Sequence, residues 1–165
     1  KAAGAAREDG FIAGLKNAGV TFFEENKRTS AFTLESGYES ALDLLESKCD
    51  IDVISCATDT IAAGAIEAIQ TYLKKQIPTN AADAGARMRY ILENTSIRVT
   101  GFGDNQMLKA VTGGIPTIHF GYKTSGIRGA ELLLDSIERG EQIPIEMKLG
   151  FRLVGADSSD PENLT

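Results

Sequence analysis

The stretch from Cys49 to Leu73, CDIDVISCATDTIAAGAIEAIQTYL, changes period once, and that change constrains the fold more than any other feature. Its first part, Ile51-Asp52-Val53-Ile54-Ser55-Cys56, is short, apolar and β-branched, as a buried strand requires. After Thr58-Asp59 the apolar residues Ile61, Ala62, Ala65, Ile66, Ile69 and Leu73 recur at three and four, which predicts a helix with one apolar face. The turn between them, Ala57-Thr58-Asp59-Thr60, is polar, and Thr58 or Asp59 can cap the new helix's free N–H groups. In an open α/β sheet such turns gather at the carboxyl ends of strands, where ligands bind. Ala62, Ala63, Gly64 and Ala65 are small enough for another backbone to come close.

The remaining chain supplies the layers around this unit. Phe11, Ile12 and Leu15 predict a helix stopped at Gly19, and Thr21–Glu24 is a strand candidate. Residues 36–48 read as a helix with Tyr38, Ala41, Leu42, Leu44 and Leu45 inward. Pro78-Thr79-Asn80 breaks the chain before a short helix expected within 81–92, since a structureless loop of that length is unusual. Ile97–Phe102 is a strand ending in Gly101-Phe102-Gly103-Asp104-Asn105, followed by a brief helix at Met107–Val111. Ile115–Phe120 is a strand whose Pro116 points to an edge or an initial position. Ser125–Arg139 is an amphipathic helix with Ile127, Ala130, Leu133, Leu134 and Ile137 inward and Gly140 as C-cap. Pro144–Val154 is extended, and 157–165 is a polar, frayed tail. Helix and strand alternate, which predicts α/β architecture with parallel layers.

At 165 residues the chain can bury one real core or form two small lobes. No apolar run reaches the roughly 20 residues that span a bilayer, so no membrane partner is expected. The N-terminus lacks the apolar segment of a secretory signal. A net charge of −6 without a dense basic stripe makes the chain itself a poor partner for nucleic acid. Cys49 and Cys56 flank one predicted strand, too far apart to bridge and in no metal-binding spacing. Two free thiols suit a reducing, cytoplasmic setting.

Catalytic signatures are missing. Gly101-x-Gly103 lacks the rest of a dinucleotide fingerprint, and no nucleophile elbow, zinc-protease pair or phosphate loop occurs. Asp59 and Asp104 could form an acid/base pair at adjoining strand ends, although carboxylates there also serve simply to accept hydrogen bonds. The expectation is a non-enzyme without cofactor or metal.

Four motifs in order carry a family resemblance. Arg7-Glu8-Asp9-Gly10-Phe11 resembles the opening R-x-x-G-[FW], and Thr58-Asp59-Thr60-Ile61-Ala62-Ala63-Gly64-Ala65 resembles [ND]-D-x-x-A-x-G-A. Val99–Asp104 is similar to V-x-G-[FY]-D-[DN], and Pro116–Tyr122 with Gly126 to the crossover strand that follows. These belong to the lactose/galactose repressor family of transcriptional regulators, and the wording around Thr100–Asn105 and His119–Gly126 is nearest the sucrose operon repressors. The resemblance covers the C-terminal half of the effector-binding core. The family's helix-turn-helix, hinge helix and first half-core have no counterpart in these residues.

The resemblance implies a periplasmic-binding-protein-like fold of two α/β lobes around a sugar cleft. Residues 1–114 and 145–165 would form the C-terminal lobe, and 115–144 a crossover strand and a helix of the other lobe. That helix would expose an apolar face wherever its partner half is absent. The implied effector contacts are Arg7, Phe32, Thr58, Asp59, Asp104 and Tyr122, with Arg7's fork suited to vicinal hydroxyls and Phe32 to the apolar face of a pyranose. A plain core or capping role accounts for several of these residues equally well. Gly103 departs from the family, which places a sugar-gripping Asp there, and Gly155-Ala156 lack the family's basic residue. A homodimer is implied with Ala62, Ala63 and Val111 near its axis. Sucrose, fructose or a derivative is the implied effector, and operator DNA would be bound only through a domain outside this chain. The alternative is a periplasmic sugar-binding protein for transport or chemotaxis.

Overall fold

A computed structural model of the chain describes residues 3–47, 50–74, 95–112, 114–140 and 144–155. The elements run α1 (Ala3–Asn17), α2 (Leu34–Glu46), β1 (Val53–Ser55), α3 (Asp59–Lys74), β2 (Arg98–Thr100), α4 (Gln106–Thr112), β3 (Thr117–Phe120), α5 (Tyr122–Arg139) and β4 (Phe151–Val154). The helix expected within 81–92, Cys49 and the tail beyond Gly155 lie outside the described residues.

The core forms where α2 and α3 pack on β1 and β2. Ile61, Ala62, Ala65, Ile66 and Ile69 are all buried, joined by Ala41, Leu44, Leu45, Ile54 and Val99. The 3.6-residue period of the sequence thus marks the buried face of α3. Two glycines set the spacing of the helices. A Cβ on Gly64 would run into the backbone of Leu34 and Tyr38, and one on Gly37 into the backbone of Ile61. Thr33 caps α2 by accepting the Ser36 N–H, and Thr58 caps α3 by accepting the Ile61 N–H at 3.2 Å.

β1 and β2 are parallel, in register Val53–Arg98, Ile54–Val99 and Ser55–Thr100. Beyond β2, the Gly101 N–H donates to Pro116 O and the Gly103 N–H to Ile118 O, both at 2.9 Å, so the end of β2 is stitched alongside β3 in the same sense. β4 then pairs antiparallel with β3, Thr117 opposite Val154 and Phe120 opposite Phe151. The parallel layering is present, with one antiparallel strand at its margin.

Three local expectations change. Thr21–Phe23 is irregular and leads into a 3₁₀ turn at Glu24–Asn26, because strand propensity without a partner strand is not realised. Instead the Phe22 ring meets Phe11 edge-on, centroids 6.5 Å apart. α5 begins at Tyr122, a turn earlier than Ser125, and ends at Gly140 with φ 63°, as its C-cap role requires. The residues expected inward on α5 are exposed: Ile127, Leu133, Leu134 and Ile137 lie open, and no residue of α5 is buried. Its pattern is amphipathic, but no described element covers the apolar side.

Candidate functional site

The ends of β1 and β2, the start of α3 and strand β3 meet at one polar junction. Asp59, the first residue of α3, is only 4% exposed. Its Oδ1 accepts the Thr117 hydroxyl at 2.6 Å and its Oδ2 the Asn105 N–H at 2.5 Å, while its own N–H donates to Phe102 O. The carboxylate also sits at the helix N-terminus, where negative charge is favoured. One buried side chain therefore ties α3 to the loop after β2 and to β3.

The junction continues through Thr117, whose buried Oγ1 accepts the Asp104 N–H at 3.3 Å. Asp104 has φ 55°, a left-handed backbone that Asp tolerates better than most residues. Its carboxylate, 6% exposed, accepts His119 Nδ1–H at 2.7 Å. His119 lies edge-to-face with Tyr122, ring centroids 5.9 Å apart, and the Tyr122 hydroxyl donates to Gly103 O at 2.9 Å. Gly103 itself has φ 135°, and a Cβ there would sit 3.6 Å from the Tyr122 Oη and 3.7 Å from the Asp59 carboxylate. A side chain at 103 would meet only ordinary van der Waals contacts, but its backbone would be strained. This accounts for the glycine where the resemblance expects an aspartate.

Arg7 arrives from α1. Its Nη1 donates to Ala57 O at 2.6 Å, at the mouth of the β1–α3 turn, and its guanidinium lies 4.0 Å from the Phe102 ring centroid. Phe102 stacks obliquely on Phe120 at 4.9 Å, and Phe120 meets Tyr122 at 5.9 Å. Phe32 is 56% exposed and abuts α1 one turn before Arg7: a Cβ on Gly4 would touch its ring tip at 3.6 Å. Arg7, Thr58, Asp59, Asp104 and Tyr122 are thus brought into one hydrogen-bonded and stacked neighbourhood, with Phe32 beside α1 at its approach.

Within that neighbourhood the residues divide. Phe32 and Tyr122 offer open surface. Asp59 and the Asp104 side chain are buried, and protein donors engage both oxygens of Asp59 and Oδ2 of Asp104. Sequence reasoning passed over Phe102 and Thr117, and a lone histidine on a strand, such as His119, reads as hydrogen-bonded structure. Thr117 and His119 alternate along β3, and that spacing of two was the available signal. A pocket of about 90 Å³ adjoins the junction, lined by Asp59, Asp104, Asn105, Leu108 and Thr117 among others. Arg7, Phe32 and Tyr122 do not line it, and it is smaller than the roughly 300 Å³ at which small-molecule sites begin. Of the residues expected at a dimer axis, Ala62 is fully buried within the chain and offers no surface, Ala63 is partly exposed, and the Val111 side chain lies outside the described residues. Cys56 is buried, and desolvation, with the charge of Asp59, pushes its thiol up to about 12. Among the described residues no cluster of His, Cys, Asp or Glu is arranged to hold a metal, and no helix is long and apolar enough to cross a membrane.

An α/β lobe whose strand ends converge on an arginine, aromatic rings and a capped helix start is of the periplasmic-binding-protein type. The chain belongs to the family described as periplasmic binding proteins and the sugar-binding domain of the LacI family, which matches residues 1–149. Solved structures agree in fold. The transcriptional regulator CelR in complex with cellobiose superposes with TM-score 0.70 at 20% identity, over 90% of this chain and 40% of that one. A dimeric Lac repressor with a C-terminal deletion gives 0.71 at 19% identity, over 93% of this chain and 49% of that one. A LacI-family regulator from Enterococcus faecium with bound ribose gives 0.66 at 19% identity, over 92% and 49%. The chain therefore spans about half the length of these structures, or less. No curated protein matches the sequence.

Proposed function

We propose that the chain is the effector-sensing part of a sugar-responsive transcriptional repressor, not an enzyme. The observation that supports this most is the convergence of Arg7, Thr58 and Tyr122 at the ends of β1, β2 and β3, with Phe32 exposed beside them. An arginine fork and open aromatic rings are the chemistry that a polyol with one apolar face requires. Residues 1–114 and 145–165 serve as one lobe, and 115–144 as the crossover and a helix of a second, with the sugar between them. Its differential affinity for two lobe arrangements shifts operator binding by a dimer of the longer protein in the cytoplasm. The dimer forms through the C-terminal lobe, around Ala63 and Val111. Relatives in fold bind cellobiose and ribose, and the wording of His119–Gly126 favours sucrose or fructose here.

The test is a calorimetric titration of the chain with sucrose, fructose, cellobiose and ribose. At least one sugar binds and is recovered unchanged, and Arg7→Ala weakens it by about tenfold or more, as loss of a charged hydrogen-bonding partner would. Binding that Arg7→Ala leaves intact refutes the site. Turnover of a bound sugar refutes the sensing role.

A further inference from the structure

Gly103 offers no carboxylate to accept a ligand hydroxyl at that loop, and both neighbouring aspartate side chains are largely buried and engaged by protein donors. Asp59 accepts from Thr117 on Oδ1 and from Asn105 on Oδ2, and Asp104, its side chain 6% exposed, gives Oδ2 to His119. The His119 ring, by contrast, is about one-third exposed. Its bond to Asp104 runs through Nδ1, and an ionised carboxylate supplies no hydrogen, so Nδ1 carries the proton. In the neutral ring the other nitrogen is then an acceptor. No buried side-chain nitrogen or oxygen among the described residues lacks a partner, and no bond engages Nε2, so Nε2 opens to solvent.

The geometry points to His119 as a specificity-determining residue: Asp104 fixes its tautomer, and Nε2 accepts a hydroxyl hydrogen of the bound sugar in place of the carboxylate missing at Gly103. The inference rests on the sugar-sensing reading above. It follows from three linked facts: backbone strain disfavours a side chain at 103, the Asp104 side chain is buried beneath the histidine, and Tyr122 braces the ring from the side. Asp104 is a positioning residue in this account, since it acts through His119. The acceptor has moved from the loop after β2 to strand β3, so hydroxyls toward β3 are the ones discriminated.

His119 is the only histidine of the chain, so its tautomer is read without ambiguity. Long-range ¹⁵N–¹H spectra of the labelled chain, at about pH 8 where an ordinary imidazole is neutral, are expected to show Nδ1 protonated and Nε2 bare. Asp104→Ala shifts the ring toward the Nε2–H form. Adding sucrose, fructose, cellobiose or ribose to saturation moves the Nε2 resonance for the sugar that binds, and His119→Phe weakens that sugar roughly tenfold while His119→Gln, which keeps an acceptor, weakens it less. A free chain with Nε2 protonated overturns the proposal before any ligand is added. A sugar that perturbs Tyr122 but leaves Nε2 and the His119→Phe affinity unchanged overturns it and leaves sensing intact. If none of the four sugars binds, both readings fall together.

Discussion

Two helices of similar amphipathic pattern have opposite fates. α3 carries Ile61, Ala62, Ala65, Ile66 and Ile69 on one face, and all five are buried against α2 and the β1–β2 pair. α5 carries Ile127, Leu133, Leu134 and Ile137 on one face, and all four are exposed. Periodicity therefore states which face of a helix wants cover. Whether cover exists depends on what else is present to supply it. α3 meets a helix whose Gly37 lets it come close, whereas α5 follows β3 and meets no comparable surface among the described residues.

The comparison is sharpened first at Cys56, at the base of the α3 side. With its thiol raised to about 12 from an ordinary 9.0, burial being the main cause, the native chain holds roughly a thousandfold less thiolate at mildly alkaline pH than a free cysteine. In a Cys49→Ser background, alkylation of Cys56 should be slower by about that factor until urea unfolds the chain. Labelling at the rate of a free thiol would mean that this half is not sealed. The sign for stability follows: the unfolded chain sheds the proton above about 9, the folded chain holds it until about 12, and stability falls as pH rises between the two.

Gly64→Val comes next. Its side chain would enter the backbone of Leu34 and Tyr38, which cannot swing aside as a flexible side chain would. A loss of about 3 kcal/mol is expected from overpacking, read from the urea midpoint. Gly129→Ala, in α5 with nothing near its Cβ position, should instead leave stability unchanged or raise it by a few tenths of a kcal/mol.

Asp59→Ala probes the joint between the two regions, since Asp59 reaches from α3 to Thr117 on β3. Removing it leaves the part-buried Asn105 N–H and the buried Thr117 hydroxyl without their acceptor, a cost of about 2 kcal/mol. The same change should broaden the Tyr122 and His119 resonances, because Thr117 also holds Asp104 in place. Unchanged spectra would show that β3 keeps its place without the joint.

What the sequence disclosed follows the same division. The strand-turn-helix unit from Ile51 to Leu73 was legible because its pattern is local and its partners are apolar. The joint was not: Asp59 lies 46 positions from Asn105 and 58 from Thr117, and no spacing rule links them. Asp59 and Asp104 were expected at the effector on the resemblance, and their engagement by internal donors is a long-range feature that no local spacing announces. The missing strand at Thr21–Glu24 failed for want of a partner, and the antiparallel turn of β4 onto β3 is a long-range pairing that alternation of elements does not announce.

The smallest expected effect is the most telling for α5. Leu133→Gln with Ile137→Gln replaces two side chains that are 61% and 67% exposed. Little apolar area returns to water on unfolding from such positions, so each change should fall within about 0.5 kcal/mol, whereas Ile69→Ala, at 2% exposure, should cost about 2 to 5 kcal/mol. The double variant should also be less prone to self-association at high concentration, because an open apolar stripe invites it. Light scattering and urea midpoints measured together separate the possibilities. A loss above about 2 kcal/mol, with no change in scattering, would mean that α5 is covered by residues of this same chain, and the contrast with α3 would disappear.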